Sequence, residues 1–355
     1  MNTIAEQDLF PVFERTIIAL DVGRSGVKAI ALYDGMKIPL VYPAIVARAV
    51  KLADEETMAR IAHEIVTVDN ADYFTGEAAR LYTQAENNAG LTNDWTDGAE
   101  YKALVLGAIS RFKHMGVRGL NDAYVVVGTP ADHYLSGRAA LEDSTSSVLK
   151  NAQVKSLSQP IGVYLSHVLD QKGSAILDKH RDSFGRRTSW IIIEVGHFDT
   201  GFTYIKEGAH QQDRDDIAEG ISAAAKNLKC ILQAKKIRRD MLECDEALRI
   251  GKILLFGKEQ PITDEIVEAV EPVARKIIEK AEILFAREAS KVNGILLAGG
   301  GSNAILHQLR EKWSNTIALP EPRMSVAEGY LRYAISVMQK RLKEQNLNNA
   351  TVVNG

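Results

Sequence analysis

Short runs of consecutive apolar residues recur along the chain, and each is followed by a turn that contains glycine. Three such runs are residues 17–20, 190–195 and 293–298. A continuous apolar run of this length is typical of a strand buried on both faces, so the pattern predicts three central strands. After the first two runs a second apolar run follows within a few residues, which predicts a first hairpin (16–32) and a second hairpin (190–205). The same hairpin arrangement is therefore predicted at two distant positions of the chain.

Between these strands, apolar residues at helical spacing predict helices. A stripe from Leu104 to Phe112 predicts a helix over 100–113, and a second stripe predicts a long helix that begins at Thr263 and contains Pro272. We expect Asp215 or Asp216 to cap a helix that runs through Ile217 and Ile231. Further strands are predicted at 37–46, 64–69, 123–127 and 154–157, a loop at 84–98, and a last helix at 325–340.

The length of 355 residues favours two domains of an α/β fold. The predicted first domain comprises residues 11–165 together with 325–345, and the second comprises 166–324. Residues 178–189 are a polar connector and the candidate for the domain crossover, and residues 1–10 and 346–355 are predicted to be loose termini.

Composition narrows the class of protein. Apolar residues make up 46% and charged residues 25%, which is typical of a globular chain with an ample core. The net charge of -3 argues against direct binding to nucleic acid. Cys230 and Cys244 match no metal-ligand spacing, and no apolar run approaches the length of a membrane span. We therefore expect a cytoplasmic protein that does not bind membranes.

The turn of the first hairpin has the residues that a phosphate site needs. Gly23 and Gly26 let backbone N–H groups approach an anion closely, because no Cβ intervenes. Lys28 can reach the same anion as a point charge, and Asp21 can hold the water shell of Mg²⁺. The alternative is a plain hairpin with an Asp and a Lys at its surface.

Two later turns have a similar composition. In the second hairpin, Glu194 lies at the end of the strand and Gly196 follows it, and Thr200 leads into the return strand. The third run ends in a glycine turn (299–301), after which Ser302 begins a helix whose N-terminus suits a phosphate or ribose-phosphate. Together the three turns predict one nucleotide held between two lobes, each of which contributes a phosphate hairpin. The alternative is three unrelated turns.

Five motifs, taken with their order along the chain, resemble those of the actin-like ATPase superfamily, and within it those of the plasmid-segregation filament proteins of the ParM/StbA type. The first hairpin is similar to the family's D-x-G-x-x-x-x-K motif, and Gly299 to Asn303 to its adenosine motif. The remaining resemblance lies in Gly128, Pro130 and Tyr134, in the turn 73–79 (YFTGEAA), and in the helix 327–334 (AEGYLRYA). The resemblance covers about residues 16–340. It implies an actin-like (ribonuclease H-like) two-domain fold with duplicated mixed sheets flanked by helices.

The resemblance also implies roles for single residues. It implies catalysis by Gln159, Asp21 and Glu194, with Gln159 orienting the attacking water and the two acids holding Mg²⁺ through water. The residues implied to bind the nucleotide are Gly23, Arg24, Ser25, Gly26, Lys28, Gly196, His197, Asp199, Thr200, Glu219, Gly299, Gly300, Gly301 and Ser302. Glu194 departs from the family's Asp, and Asp199 is a candidate to share its role. Glu219 and Lys226 are expected on the helix that follows the second hairpin. For Gln159 the alternative is a helix cap.

The resemblance implies a protein that forms filaments in an ATP-dependent way, with GTP as the alternative nucleotide. ATP binding would drive head-to-tail assembly, and hydrolysis would loosen the filament. Plasmid DNA would be reached through a DNA-binding adaptor protein on a centromere-like site. A small-molecule kinase of the same superfamily is the first alternative, with Asp132 as its candidate base, and a non-segregating cytoskeletal scaffold is the second.

Overall fold

The computed structural model describes residues 10–83, 95–129 and 134–353. The chain divides into two compact units. One unit contains the described residues up to Thr129, those from Tyr134 to Ile176, and the chain from Val326 onward, and the other contains Leu177–Ser325. The first unit extends through Ile176, because the helix Gln159–Val168 packs on its sheet.

Eight strands are described in the first unit. They are β1 (Ile17–Val22), β2 (Gly26–Tyr33), β3 (Met36–Pro43), β4 (Val46–Arg48), β5 (Ile65–Val68), β6 (Ala71–Thr75), β7 (Tyr124–Thr129) and β8 (Gln153–Ser158). The main sheet has the order β3-β2-β1-β7-β8, with β1, β2 and β3 antiparallel and β1, β7 and β8 parallel. Since β3 is an edge strand, it accommodates Pro39 and Pro43. Strands β4, β6 and β5 form a smaller sheet.

The second unit repeats this arrangement. Its described strands are β9 (Trp190–Val195), β10 (Asp199–Lys206), β11 (Ala209–His210), β12 (Asp216–Glu219), β13 (Lys252–Leu255), β14 (Lys258–Pro261), β15 (Gly294–Ala298) and β16 (Thr316–Ala318). The main path β11-β10-β9-β15-β16 has the same sequence of antiparallel and parallel pairings as the sheet of the first unit. The predicted internal repeat of a hairpin beside parallel strands is therefore present in the fold.

Helices cover the sheets. They are α1 (Glu55–Arg60), α2 (Glu77–Thr83), α3 (Ala99–His114), α4 (Tyr134–Val148), α5 (Gln159–Val168), α6 (Leu177–His180), α7 (Ser222–Ala234), α8 (Met241–Ile250), α9 (Thr263–Phe285), α10 (Ser302–Lys312) and α11 (Ser325–Val353). In the first unit, α3 packs on β1 and β2 through residues such as Leu104 and Phe112, which are completely buried. In the second unit, α9 and α10 pack together on a core that includes Ile191, Ile193 and Leu297.

The sequence prediction was wrong after the second hairpin. Asp216–Glu219 is a strand rather than the start of a helix, and the helix begins at Ser222. The four residues pair with β10, with Asp199 opposite Glu219 and Phe202 opposite Asp216. Because pairing with a neighbouring strand satisfies their backbone groups, it overrides the helical spacing of the apolar residues. Glu219 therefore lies on a strand, whereas Lys226 lies on the helix as expected.

The last helix also differs from its prediction, because it continues to Val353 instead of ending near residue 340 with a loose tail. Arg341 explains part of the extension. Its guanidinium donates to the side chain of Gln153 over 2.7 Å and lies 5.2 Å above the ring of Tyr124. Of the predicted leader and loop, residues 1–9 and 84–94 lie outside the described part of the chain, and Trp95–Asp97 form a short 3-10 turn.

Two residues on α9 give a matched test of the hydrophobic core of the second unit. Phe285 is 1% exposed and its ring contacts those of Phe202 and Tyr204, whereas Ile283 is 82% exposed. We expect Phe285→Ala to lower the free energy of unfolding by about 3–5 kcal/mol, because it removes a buried ring and leaves a cavity. Ile283→Ala should change it by less than about 0.5 kcal/mol. Urea unfolding followed by tryptophan fluorescence measures both, and equal shifts would contradict this assignment of the core.

Candidate functional site

The first hairpin places an acid and a cation opposite each other. Asp21 on β1 and Lys28 on β2 are register partners, and Lys28 Nζ lies 2.7 Å from Asp21 Oδ2. The Asp21 side chain is 1% exposed and that of Lys28 is 16% exposed. A carboxylate this deeply buried is costly unless a cation and hydrogen-bond donors compensate its charge. Lys28 provides the cation.

Gln159 provides the second contact to the same carboxylate. It is the first residue of α5, and its Nε2 donates to Asp21 Oδ1 over 2.9 Å. Ser158, rather than Gln159, occupies the N-cap position of α5. The structure thus brings Asp21, Lys28 and Gln159 into one cluster. An amide so placed can hold groups in position but cannot act as a base.

Gly23 makes room for this cluster. A Cβ at residue 23 would lie 2.7 Å from Lys28 Nζ and 3.1 Å from the carbonyl oxygen of Gly26, so a side chain would displace the ammonium. Arg24 and Ser25 are half-buried in the same turn. The Ser25 carbonyl accepts a hydrogen bond from the amide of Ala44, which ties the turn to the end of β3.

The second hairpin is held by backbone contacts at its turn. The amide of Gly196 donates to the Asp199 carbonyl over 2.9 Å, and a Cβ at Gly196 would lie 2.7 Å from that oxygen. Glu194 on β9 is paired with Gly201 on β10. The hydroxyl of Thr200 is buried and donates to the Glu219 carbonyl over 3.1 Å, while the Glu219 carboxylate pairs with Lys276. Thr200 and Glu219 therefore join β10 to β12 in this structure.

His197 lies in this turn with its ring directed toward α8. Its Nδ1 is 3.1 Å from Asp245 Oδ1, and its ring meets that of Phe198 nearly at right angles, at 4.5 Å. The backbone of the same turn receives the start of α7. The amides of Gly220, Ile221 and Ser222 donate to the carbonyls of Phe198, Gly196 and His197, respectively.

Gly220 is a site residue that the sequence analysis missed. A Cβ there would lie 2.5 Å from the His197 carbonyl oxygen and 2.6 Å from the Asp199 amide nitrogen, so only glycine fits. A glycine immediately before a helix was the available signal. Asp245 was also missed, and no local pattern marks it, because it reaches His197 from a helix more than 40 residues further along the chain.

The glycine turn packs against the second hairpin. Gly299 has φ +88°, and its Cβ would lie 2.3 Å from the Val195 carbonyl oxygen. The Gly301 amide donates to that same oxygen over 3.0 Å, and Ser302 Oγ donates to the Gly299 carbonyl over 2.8 Å. Gly300, by contrast, has no described atom within 4 Å of its would-be Cβ. The second unit therefore joins the second hairpin, the start of α7 and the glycine turn into one packed site.

Gly76 in the turn YFTGEAA has a structural role. It has φ +67°, and its Cβ would lie 2.7 Å from Arg111 Nη2. Arg111 is 6% exposed, lies 2.9 Å from Glu64 Oε2, and lies 4.0 Å above the ring of Tyr42. Burial raises the pKa of the Tyr42 hydroxyl. This turn therefore anchors the small sheet to α3 through a buried ion pair.

The side chains that could act as metal ligands limit how the protein could hold a metal ion. In the described part of the chain, no group of three or more His, Cys, Asp or Glu side chains is arranged to hold one. Mg²⁺ needs no such cage, since it usually keeps several waters and binds through one or two carboxylates and substrate phosphates. Asp21, a buried carboxylate beside Lys28, fits that mode, and its role and that of Glu194 stay predictions. Pro130 and Asp132, which the sequence analysis named, lie outside the described residues.

Family models match both halves of the chain. The model "Actin like proteins N terminal domain" matches residues 19–162. The model "Archaeal actin homologue MreB-like, C-terminal" matches residues 193–311. No curated protein matches the chain. Among the described residues, no helix is both long and apolar enough to cross a membrane.

Solved structures with a similar fold cover nearly the whole chain. The actin-like protein Alp7A has a TM-score of 0.70 at 15% identity and covers 94% of this chain and 98% of its own. A 15-stranded ParM filament from Clostridium botulinum has a TM-score of 0.67 at 18% identity, with coverages of 90% and 99%. Ta0583, an archaeal actin homolog in complex with ADP, has a TM-score of 0.65 at 18% identity, with coverages of 90% and 99%.

Neighbouring glycines in the glycine turn allow a matched test. We expect Gly299→Ala to lower the thermal midpoint of the protein clearly, because a side chain at φ +88° is strained by about 1–3 kcal/mol and its Cβ would overlap Val195. Gly300→Ala should leave the midpoint nearly unchanged, since nothing described lies within 4 Å. Differential scanning calorimetry compares the two variants. Equal midpoints would show that the turn does not pack on the second hairpin as described.

Proposed function

We propose that this chain, whose two parts match models of actin-like and MreB-like domains, binds and hydrolyses ATP with Mg²⁺ and assembles head to tail into filaments. The observation that carries the proposal is the cluster of Asp21, Lys28 and Gln159 at the ends of β1 and β8. A buried carboxylate, a cation and a positioning amide at a glycine turn are the groups that phosphate and hydrated Mg²⁺ require. The matches to both family models and the fold of an ADP complex support the same nucleotide chemistry.

In the proposed mechanism each residue of the first hairpin has one role. Lys28 and the amides of the turn would bind phosphate oxygens, and Asp21 would hold Mg²⁺ through its waters. When bound, Mg²⁺ supplies charge neutralisation at the phosphates. Gln159 orients the attacking water through its amide, which suffices because phosphoryl transfer depends mainly on positioning and charge stabilisation.

We propose that the hairpin of the second unit is also a phosphate-binding element. Support comes from the repeat, since β9 and β10 occupy the sheet positions of β1 and β2. Glu194 then corresponds to Asp21, and the amides near Gly196 to those near Gly23. We propose that Gly299 and Gly301 act indirectly, by fixing the end of β9 through their contacts with Val195, while the open Gly300 and the start of α10 face the ligand.

The biological role we propose is the segregation of plasmid DNA. The chain is similar in fold to ParM from a solved filament, and a head-to-tail contact that does not close into a ring generates such a polymer. The net charge of -3 favours an adaptor protein as the link to DNA over direct contact. Assembly of the protein alone with nucleotide tests the first part of this role, and the kinase alternative instead requires a second substrate.

We expect light scattering by the purified protein to rise when ATP and Mg²⁺ are added, with a threshold protein concentration and without any added acceptor. ATP turnover should rise with protein concentration above that threshold. Phosphate release and scattering are recorded on the same sample, with ADP as the control. Turnover that depends on an added sugar or acid, without scattering, would support the kinase instead.

Lys28→Gln tests the cation of the first hairpin. The substitution removes the charge but keeps a donor for Asp21, so we expect a lower thermal midpoint, because the buried carboxylate loses its cation, together with an affinity for ATP that falls about tenfold or more. The matched control is Lys150→Gln, which changes an exposed lysine of the same unit and should leave affinity unchanged. Equilibrium binding of a fluorescent ATP analogue measures both, and equal affinities would remove Lys28 from the site.

Gln159→Ala tests the positioning amide. We expect ATP binding and the onset of assembly to persist, while phosphate release slows roughly 100-fold because the attacking water loses its orientation. Filaments of the variant should therefore persist at a time when wild-type filaments have already consumed their ATP and disassembled. Unchanged phosphate release would show that Gln159 serves only to hold Asp21.

A further inference from the structure

Four hairpins in the described structure are closed by two-residue turns of one geometry. The turns are Asp34–Gly35, Asp69–Asn70, Glu207–Gly208 and Phe256–Gly257. Their first residues have φ of 50°, 48°, 51° and 49°, in the left-handed region. Both central residues of such a turn need positive φ, which favours Asn, Asp and Gly. Three turns begin with a polar residue, and one begins with phenylalanine.

Phe256 is unfavourable for the stability of the isolated protein for two reasons. A bulky aromatic residue at positive φ is a genuine outlier, because its Cβ crowds the following carbonyl. Its ring is also fully exposed at the tip of the hairpin β13–β14, so it adds nothing to the core that would offset the strain. Asn or Asp at this position would be better for folding on both counts.

Leu254 extends the same apolar surface. It lies two residues before Phe256, on the face of β13 opposite Ile253, and it is 61% exposed whereas Ile253 is 5% exposed. On the hairpin, Lys252 Nζ lies 2.7 Å from Glu259 Oε2, and Lys258 follows the turn directly. The Phe256 patch, defined as Phe256 and Leu254, is therefore an exposed apolar surface beside one further lysine. Exposed apolar surface of this kind is typical of protein contact sites.

We propose that the Phe256 patch docks on a second copy of this chain in the filament. The inference rests on the proposed function and names one contact of that assembly. The size of the patch supports this occupant. A phenylalanine buries about 150–250 Å², whereas a stable pairwise interface needs about 800 Å² per partner. So small a contact does not hold a dimer alone, but it suits a polymer in which every subunit repeats it alongside other contacts.

The test uses a substitution that should improve the fold while weakening assembly. Phe256→Asn removes the ring and places at residue 256 an amino acid that prefers the left-handed turn. We expect the thermal midpoint of the unassembled variant to equal or exceed that of the wild type, and its affinity for ATP to be unchanged. With ATP and Mg²⁺, its critical concentration in sedimentation should rise at least fivefold. A gain in stability with a loss of assembly cannot be explained by misfolding.

Two control variants make the result specific. Phe256→Tyr keeps an aromatic ring and should assemble like the wild type. Phe184→Asn removes another exposed aromatic of the same unit, 80% exposed, and should leave the critical concentration unchanged. An unchanged critical concentration for Phe256→Asn overturns the inference, and so does an equal loss from Phe184→Asn, which would indicate a general effect of surface hydrophobicity.

A photo-crosslinking amino acid at residue 256 separates the inference from the proposed function. A covalent dimer that forms only with ATP and Mg²⁺ supports the contact. If the wild type sediments in filaments but residue 256 yields no dimer, the inference fails while the proposed function stands. If the wild type forms no filaments with any nucleotide, the proposed function fails, and the inference with it. Crosslinking in cell extract to a different protein alone overturns the choice of a second copy.

Discussion

The buried carboxylate of Asp21 is the constraint on which the first unit depends. It lies at the end of a central strand and is 1% exposed, where an unpaired charge would destabilise the fold by several kcal/mol. Lys28 compensates the charge from the neighbouring strand, and Gln159 donates to the other oxygen from the start of α5. A single side chain thereby links the first hairpin to the start of a helix and brings three polar side chains together.

The second unit reaches a comparable arrangement by close backbone approach instead of charge. Val195 ends β9, and its carbonyl accepts from Gly301 while Gly299 passes within a distance that no side chain allows. Gly220 lies equally close to the turn of the second hairpin. Glycines from two distant parts of the chain therefore bring the turn of the second hairpin, the start of α7 and the glycine turn together. Gly300 differs from its two neighbours in the same turn, because no described atom lies within 4 Å of its would-be Cβ.

The hairpin turns show where local preference and the rest of the protein disagree. At Asp34, Asp69 and Glu207 the residue and the left-handed backbone are compatible or nearly so, whereas at Phe256 they are not. A sequence that agrees with its fold almost everywhere is expected to violate local rules mainly at functional positions. This expectation makes the tip of β13–β14 a place to look for function.

Much of this protein followed from the order of its residues alone. Buried strands, hairpins and most helices were predictable because their periods and turns are local properties, and Asp21 and Lys28 are opposed because a short turn sets their register. Only the tertiary structure decided that Asp216–Glu219 forms a strand, that Gln159 reaches Asp21 across 138 residues, and that His197 contacts Asp245. Each of these depends on which distant segment lies alongside. No local period records that neighbour, because it is chosen by the packing of whole sheets and helices.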